Sequence, residues 1–591
     1  MSELIGKITW INGPVMKAFG SRNVSMGEMV EVGEEHLVGE VIRLDNNEIT
    51  IQVYEETSGI TPGMTVFGTG SPLSVELGPG LIGSIFDGIQ RPLSVIEKFS
   101  GSFIGRGIQL TPLYRGTKWH FIPSVKIGDS VNGGSFLGSV PETSMVIHKV
   151  MVPPGISGRI KWLASAGEYS IDEPIAMLAT EQGEKPVSML RRWPVRQPRP
   201  VRARLEKNIP LLTGQRILDT FFPLVKGGTA AIPGGFGTGK TITQHQVAKW
   251  SDADVVVYIG CGERGNEMTE VLQDFPALID PRSGLPLMDR TVLIANTSNM
   301  QVAARDASIY TGVTIAEFYR DMGYHVALMA DSTSRWAEAM REISGRLEEM
   351  PAQEGYPAYL SSRLAEFYER AGLVQNLDGS KGSVSIIGAV SPPGGDFSEP
   401  VTQQTKQYTR VFWGLDKTLA SARHFPSVNW LNSYSEYLGN VSDWWEKETG
   451  SPWRDYRAEA MAILNEEGHL DEIVKLVGED ALPDTQRVTL ETGRLLREGF
   501  LQQNAMDPVD TYSTPQKQIK MLELILHFHR RALKIVSIGA LIKSIKELPV
   551  INPLIRMKNS IKNQDLSEFD KLREQMDMQM DNLESLYNDK Q

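Results

Sequence analysis

One glycine-rich stretch fits the pattern G-x-x-x-x-G-K-[ST], and its residues are Gly234, Gly235, Phe236, Gly237, Thr238, Gly239, Lys240 and Thr241. It follows an apolar run that predicts a strand, Thr229-Ala230-Ala231-Ile232, and it opens a predicted helix from Ile242 to Trp250. Glycines let successive backbone N–H groups turn towards one point and hold phosphate oxygens, and the helix N-terminus adds partial positive charge. In such a loop the lysine reaches the β- and γ-phosphates, and the threonine hydroxyl binds Mg²⁺. The stretch therefore predicts a nucleotide phosphate site.

A second candidate, Glu263 with Arg264, comes directly after the predicted buried strand Val255–Gly260. Ligands of open α/β sheets bind at such strand ends. A carboxylate at this place can orient and deprotonate a water molecule for attack on a γ-phosphate, while Arg264 can hold the carboxylate or the phosphate. A surface Glu–Arg ion pair is the alternative, and the position after a buried strand favours the catalytic interpretation.

A third candidate is Asp331, which ends the apolar run Leu328-Met329-Ala330. An apolar strand with one terminal carboxylate has the form of a Walker-B element, whose aspartate holds Mg²⁺, mostly through water. Four residues later, Arg335 can reach a γ-phosphate.

Composition narrows the class of protein. The chain has 591 residues, of which 41% are hydrophobic and 22% charged, which is typical of a soluble multidomain protein. We find no apolar run long enough for a membrane span and no signal segment, so we expect a cytoplasmic location. The single cysteine, Cys261, excludes internal disulfides, and the net charge of −12 argues against a nucleic-acid partner.

The elements that position these candidates fall into successive regions. We predict an N-terminal β-barrel over residues 1–70, a connecting segment over 71–110, a β-rich insertion over 111–190, a nucleotide-binding domain over 191–440 and a helical C-terminal domain over 441–591. In the nucleotide-binding region, continuous apolar runs alternate with helical stretches such as Ala303 to Arg320, which predicts a parallel sheet covered on both faces. In the last region, helical periodicity extends over Trp453 to Val477, Pro483 to Asn504 and Pro515 to Ser544.

Lys149, in the β-rich insertion, admits two interpretations. A small β-domain can present a lysine for a lipoyl or biotin group. Lys149 lies inside an apolar strand rather than at an exposed hairpin tip, which favours a structural role.

Several motifs together resemble one family, the catalytic A chains of the V-type/A-type rotary ATPases. Besides the phosphate loop they are Gly260 to Met268, Ala330 to Ala339, Ser391-Pro392-Pro393-Gly394-Gly395-Asp396 and His424 to Trp430. The resemblance covers essentially the whole chain. It includes the insertion at 111–190, which the related F-type β subunit lacks.

The resemblance implies a multidomain α/β fold: an N-terminal β-barrel, an inserted β-rich bulge, a RecA-like P-loop domain and a helical C-terminal domain. It implies ATP and ADP as substrate and product, Mg²⁺ as cofactor, and coupling of ATP turnover to H⁺ or Na⁺ transport. Its partners would be a non-catalytic B subunit, which alternates with this chain in a hexamer of three A-type and three B-type chains and supplies an arginine finger, together with central-stalk and peripheral-stalk subunits and a membrane sector. The chain would then lie peripherally on the cytoplasmic face of a membrane.

By the same resemblance, Lys240 and Arg264 contact phosphate, Glu263 activates water and Arg335 lies by the γ-phosphate. Thr241 binds Mg²⁺ and Asp331 supports it. A further set of residues would bind the adenine: Phe425 stacks on it, and the segment Phe500 to Met506, with Ala505 and Met506, forms the other wall.

The sequence also departs from the family pattern. Gly235 and Thr238 stand in the phosphate loop where Pro and Ala are frequent, and Gln301 stands where Pro is usual. Met506 replaces a frequent Phe, so the second wall of the adenine pocket would offer a thioether in place of an aromatic ring.

Two other functions are compatible with parts of the sequence. A non-catalytic nucleotide-binding subunit of the same ring would lack the loop lysine or the glutamate, whereas this chain has Lys240 and Glu263. A related hexameric motor, such as a secretion ATPase or an RNA translocase, is disfavoured by the acidic charge, the helical C-terminal region and the insertion.

Overall fold

The computed structural model describes residues 3–20, 24–101, 105–108 and 110–588. By internal contacts the chain divides into two compact units. The first is built from Met1–Lys207, Lys226–Ala231 and Ala253–Thr409, and the second from Asn208–Val225, Ile232–Asp252 and Arg410–Gln591. The phosphate loop and the acidic strand ends therefore belong to different units.

The first unit begins with a closed six-stranded barrel of order β1-β2-β5-β4-β3-β6. In β3, alternate residues are buried, namely Glu28, Val30 and Val32, which is the period-2 pattern of a barrel wall. Two of the strands, β2 and β6, lie outside the predicted set because their sequences alternate weakly. The bounds are β1 Glu3–Asn12, β2 Val15–Gly20, β3 Glu28–Val32, β4 Leu37–Asp45, β5 Glu48–Val53 and β6 Thr65–Pro72.

The chain continues through short connecting elements into two four-stranded antiparallel sheets, of order β10-β13-β15-β16 and β12-β11-β9-β14. The connecting elements are β7 Ser74–Leu77, β8 Ile85–Phe86 and the helix Leu93–Ser100. The two sheets contain β9 Trp119–Pro123, β10 Ser130–Val131, β11 Phe136–Pro141, β12 Ile147–Met151, β13 Gly158–Leu163, β14 Gly167–Tyr169, β15 Pro174–Thr180 and β16 Gly183–Ser188. Two short strands follow, β17 Arg191–Pro194 and β18 Ala203–Arg204.

Lys149 lies on β12 and is held by its surroundings. Its Nζ donates a hydrogen bond to the carbonyl oxygen of Met322 at 2.7 Å. The ammonium also lies 5.1 Å from the ring centroid of Phe136 and 5.5 Å from that of Tyr324. These contacts favour the structural role for this lysine.

A largely parallel sheet forms the centre of the first unit, with the order β19-β24-β22-β20-β21-β8. The pairs β24–β22, β22–β20, β20–β21 and β21–β8 are parallel. The strands are β19 Thr229–Pro233, β20 Val255–Glu263, β21 Thr291–Thr297, β22 His325–Asp331, β23 Gly372–Gln375 and β24 Lys381–Val390, with β23 antiparallel to β24 and to β18. Helices of this unit span Gly265–Ala277, Val302–Asp321, Thr333–Arg346, Leu360–Tyr368 and Pro400–Tyr408, and 3₁₀ turns span Leu287–Arg290, Gln353–Gly355 and Pro393–Gly395.

The second unit is mainly helical. It contains one short antiparallel pair, β25 Val411–Phe412 with β26 Tyr434–Ser435. Its α-helices are Lys240–Trp250, Lys417–Ser421, Leu438–Thr449, Trp453–Val477, Asp484–Leu495, Pro515–Ser537, Ile542–Lys546, Ile551–Ser560 and Ser567–Asn588. Two π-helical turns, Ile217–Phe221 and Leu496–Leu501, and a 3₁₀ turn, Glu479–Ala481, complete it. The barrel, the parallel sheet and the helical C-terminal region confirm the predicted multidomain α/β class.

Two predicted helices end earlier than their periodicity suggested. The stretch from Pro515 is helical only to Ser537, because Gly539 takes a left-handed conformation with φ of 94° and starts a new turn. The stretch from Pro483 leaves the α-helix after Leu495 and continues as a π-helical turn, a feature that periodicity does not show.

Candidate active site: a phosphate loop and carboxylates at two strand ends

The phosphate loop joins β19 to the helix Lys240–Trp250, as predicted. Gly237 and Gly239 have φ of 77° and 85°, a conformation that side chains other than glycine rarely adopt. At Gly234 a Cβ atom would lie 2.5 Å from the Thr238 hydroxyl oxygen. The glycine spacing therefore fixes a tight turn directly before the positive end of a helix.

Side-chain donors hold the loop through its carbonyl groups. Lys240 Nζ donates to the carbonyl oxygens of Gly234 and Gly235 at 2.9 and 3.3 Å. Thr238 Oγ1 donates to Gly235 O at 2.8 Å, and Ser427 Oγ donates to Thr238 O at 2.5 Å. The Lys240 ammonium thus lies against the loop, where it can exchange carbonyl oxygens for phosphate oxygens. Thr238, one of the departures from the family pattern, therefore braces Gly235.

Two other loop residues differ in their surroundings. Thr241, in the first turn of the helix, is half-buried, whereas the Phe236 side chain is 78% exposed. Phe236 therefore belongs to the loop by position, and most of its side chain faces solvent.

The second unit also brings one of the predicted adenine-binding residues, Phe425, to the loop. A Cβ atom on Gly239 would lie 3.4 Å from the Phe425 ring, which is 37% exposed. The backbone N–H of Gln503 donates to Phe425 O at 2.7 Å, which joins the segment that contains Ala505 and Met506 to this aromatic residue. Ala505 is half-buried, but Met506 is 90% exposed and does not line a packed wall.

In the first unit, Glu263 and Asp331 end two neighbouring parallel strands, β20 and β22, whose register pairs Gly260 with Asp331. Asp331 is 3% exposed, and the hydroxyl of Tyr258 donates to its Oδ2 at 3.1 Å. The structure therefore brings both predicted carboxylates to the same edge of the sheet.

The surroundings of the Glu263 carboxyl disfavour its ionised form. Burial raises its pKa to about 8, helped by the charge of Asp331 and by a hydrogen bond and the charge from Glu267. Such a shift places the carboxyl near the working range of a general base.

The two predicted arginines have different environments. Arg264 is exposed and precedes the helix Gly265–Ala277. Arg335 Nη1 donates to both carboxylate oxygens of Glu338, at 3.1 and 2.8 Å, and this hydrogen bonding raises its pKa. Arg335 is thus ion-paired within its own helix, and contact with a phosphate would require it to share or leave Glu338.

Sequence reasoning missed two residues of this site, Tyr258 and Arg305. A Cβ atom on Gly262, which has φ of 73°, would lie 2.8 Å from both Arg305 Cδ and Arg335 Cβ. The glycine therefore admits two arginines beside the carboxylates. A tyrosine within an otherwise aliphatic strand and a glycine directly before Glu263 were the available signals.

Cys261 lies between these residues and is fully buried. Its thiol contacts the carbonyl oxygen of Arg305 at 3.6 Å, and burial raises its pKa to about 12. It acts as a small space-filling residue.

Four known domain families match successive parts of the chain. The nucleotide-binding domain of the ATP synthase alpha/beta family matches residues 214–435, and the beta-barrel domain of that family matches 8–70. The ATP synthase alpha/beta barrel-sandwich domain matches 110–196, and the C-terminal domain of V and A type ATP synthase matches 442–546.

Relatives that match nearly the whole chain are subunits of A-type and V-type ATP synthases. The A subunit of the A-type ATP synthase from Methanopyrus kandleri is 59% identical over 98% of each chain. The V-type ATP synthase alpha chain of Halothermothrix orenii is 60% identical over 95% of this chain and 96% of its own. The assembled ATPase EscN of the enteropathogenic E. coli type III secretion system matches in structure, with a TM-score of 0.62, 22% identity and coverage of 88% and 100% of the two chains, which shows a shared fold.

Fold and phosphate loop together define a P-loop protein of the ATP synthase alpha/beta family. Within this family the chain belongs with the A subunits, or alpha chains, of the A-type and V-type rotary ATP synthases, as the sequence motifs predicted.

Proposed function

We propose that the phosphate loop and the carboxylates Glu263 and Asp331 carry out ATP turnover in this chain. As a member of the A-type and alpha-chain group, it is the ATP-hydrolysing or ATP-synthesising subunit of a rotary ATPase, which couples turnover to ion transport. The observation that carries the residue assignments is the loop itself, where Lys240 lies against tightly turned glycines at a helix N-terminus.

The roles follow from the chemistry of each group. Lys240 binds and neutralises the β- and γ-phosphates, and the exposed Arg264 supplies a second cation. Glu263, in its ionised form, orients a water molecule and takes its proton during attack on the γ-phosphate. Arg335 stabilises charge on the γ-phosphate once Glu338 shares it.

The residues present fit Mg²⁺. Thr241 offers a hydroxyl and Asp331 a carboxylate, the hard oxygen donors that this ion prefers. Among the residues that the structure describes, no three His, Cys, Asp or Glu side chains cluster as a metal cage. Mg²⁺ usually relies on one or two protein oxygens together with phosphates and water, which agrees with a metal that arrives with the nucleotide. When bound, it neutralises developing phosphate charge.

For the base, we propose that Phe425 stacks on adenine beside Gly239, with Ala505 along the opposite side. The exposed Met506 would pack on the purine only after its side chain turns inwards.

We propose the assembly and domain plan that the family implies. A B subunit would supply an arginine finger in an alternating hexamer, and stalk subunits would connect it to a membrane sector for H⁺ or Na⁺, so the chain would lie on the cytoplasmic face. No described helix is long and apolar enough to cross a bilayer. The domain boundaries are proposed at 1–70, 71–110, 111–190, 191–440 and 441–591.

The decisive experiment measures Mg-ATP turnover by the purified chain alone and after mixing with its B subunit. We expect low activity alone and a large increase on mixing, because the B subunit would add the arginine that stabilises the transition state. Full activity of the chain alone would contradict this assembly and favour a homo-hexameric motor.

A further inference from the structure

Arg216 of the second unit is a fully buried cation with an unusually complete set of acceptors. Its guanidinium donates to the side chains of Asp510, at 2.6 Å, and Ser513, at 2.9 Å. It also donates to the backbone carbonyls of Phe500, at 2.6 Å, and Gln502, at 2.7 Å. One side chain therefore holds both ends of the segment from residue 500 to residue 513.

This segment contains Ala505 and Met506, and Gln503 links it to the other side of the proposed base site. The backbone N–H of Arg216 donates to Gln503 Oε1 at 2.9 Å. Gln503 Nε2 donates to the carbonyls of Gly214 and Asp510, each at 2.8 Å, while its backbone N–H donates to Phe425 O. Arg216 and Phe425 are thus connected through one glutamine.

Asp510 extends the same network towards the base site. It is fully buried, and its Oδ2 accepts the backbone N–H of Asn504 at 2.7 Å. Asn504 Oδ1 in turn accepts the backbone N–H of Met506 at 2.9 Å. Because a buried ion pair is costly to break from one side, this network keeps the segment in a single arrangement.

We propose that Arg216 is a positioning residue for the nucleotide base, which sets the separation between Phe425 and the segment 502–506. This inference rests on the proposed function, since it assumes that those residues receive adenine. Arg216 itself does not touch the nucleotide. Its effect is confined to the base, because its contacts are with the segment 500–513 rather than with the phosphate loop.

The test compares two ligands of the full-length chain, Mg-ATP and Mg-tripolyphosphate, by titration calorimetry. Tripolyphosphate carries the phosphate groups without the base, so the ratio of the two affinities reports base recognition. Arg216→Lys keeps the charge but cannot donate to four acceptors. We expect ATP affinity to fall about tenfold, with tripolyphosphate affinity unchanged.

Arg290→Lys is the matched control, because Arg290 is equally buried and donates to the carbonyl of Ala253 in the first unit. It should leave the affinity ratio unchanged. If Arg216→Lys does not fold, Gln503→Met tests the same link, and it should lower the ratio while Phe425 and Arg216 remain.

An equal loss of affinity for both ligands, or an unchanged ratio, would overturn the inference and make Arg216 a purely structural residue. If the unaltered chain binds tripolyphosphate but gains nothing from the base, the inference fails while phosphate binding stands. If the unaltered chain binds neither ligand, the proposed function itself fails.

Discussion

The phosphate loop of the second unit and the strand ends of the first unit are built differently. In the loop, side-chain donors hold the backbone through its carbonyl groups. At the strand ends, the candidate groups are the carboxylates of Glu263 and Asp331, and burial raises the pKa of Glu263. The loop residues Gly237 and Gly239 have positive φ, a backbone conformation that favours glycine. Burial raises the pKa of Glu263, and its neighbours Asp331 and Glu267 raise that pKa further. From this difference we expect the loop to determine affinity for phosphate, and the carboxylates to determine the rate of the chemical step.

The largest expected effect tests the carboxylates. Glu263→Gln should lower kcat by about 10²–10⁴-fold, because the amide cannot accept the proton of the attacking water. ATP affinity should remain, as calorimetry would show. Glu342→Gln, the same change at an exposed, ion-paired position, should leave kcat unaltered. Normal turnover by Glu263→Gln would remove this residue from the mechanism.

The next effect tests the loop. Lys240→Met should weaken binding of Mg-ATP about 10- to 100-fold, because charge-assisted hydrogen bonds to phosphate are lost. Lys249→Met removes an ammonium from the last turn of the same helix and should preserve affinity. If Lys240→Met bound ATP as tightly as the unaltered chain does, Lys240 would not be a source of the affinity. The expected division of roles between the loop and the carboxylates would then be wrong.

A pH profile separates the two regions without a mutation. Because burial raises the pKa of Glu263 to about 8, the carboxyl is increasingly protonated below that pH and would then be unable to accept a proton. Turnover, measured as kcat/KM, should therefore rise about tenfold per pH unit up to about pH 8 and then level off. The affinity for tripolyphosphate should not follow this curve. A decrease in kcat/KM over the same pH range would mean that the protonated form of Glu263 is the active one, which contradicts its role as a general base.

The smallest effect concerns the brace within the loop. Thr238→Ala removes the hydrogen bond to Gly235 O and should weaken ATP binding about fivefold. Thr238→Ser retains a hydroxyl and should restore affinity, with kcat similar in all three proteins. An effect on kcat alone would mean that the brace serves the chemical step.

The sequence was sufficient for features that depend on residue type and spacing. The loop, the parallel strands that end at Glu263 and Asp331, and the helix Trp453–Val477 follow from glycine spacing and apolar periodicity. The sequence was insufficient where contacts between residues distant in the chain determine the structure. The Arg335–Glu338 pair was readable by its spacing, but the Tyr258–Asp331 hydrogen bond and the exposure of Met506 depend on packing.

The chain's one cysteine has a practical consequence. Cys261 is buried and its thiol is almost entirely protonated at neutral pH, so it should react very slowly with maleimide dyes. A cysteine introduced at an exposed position, for example by Leu476→Cys, would then be the only readily labelled thiol. Fluorescent reporters of conformational change could be attached to this protein without first removing a natural cysteine.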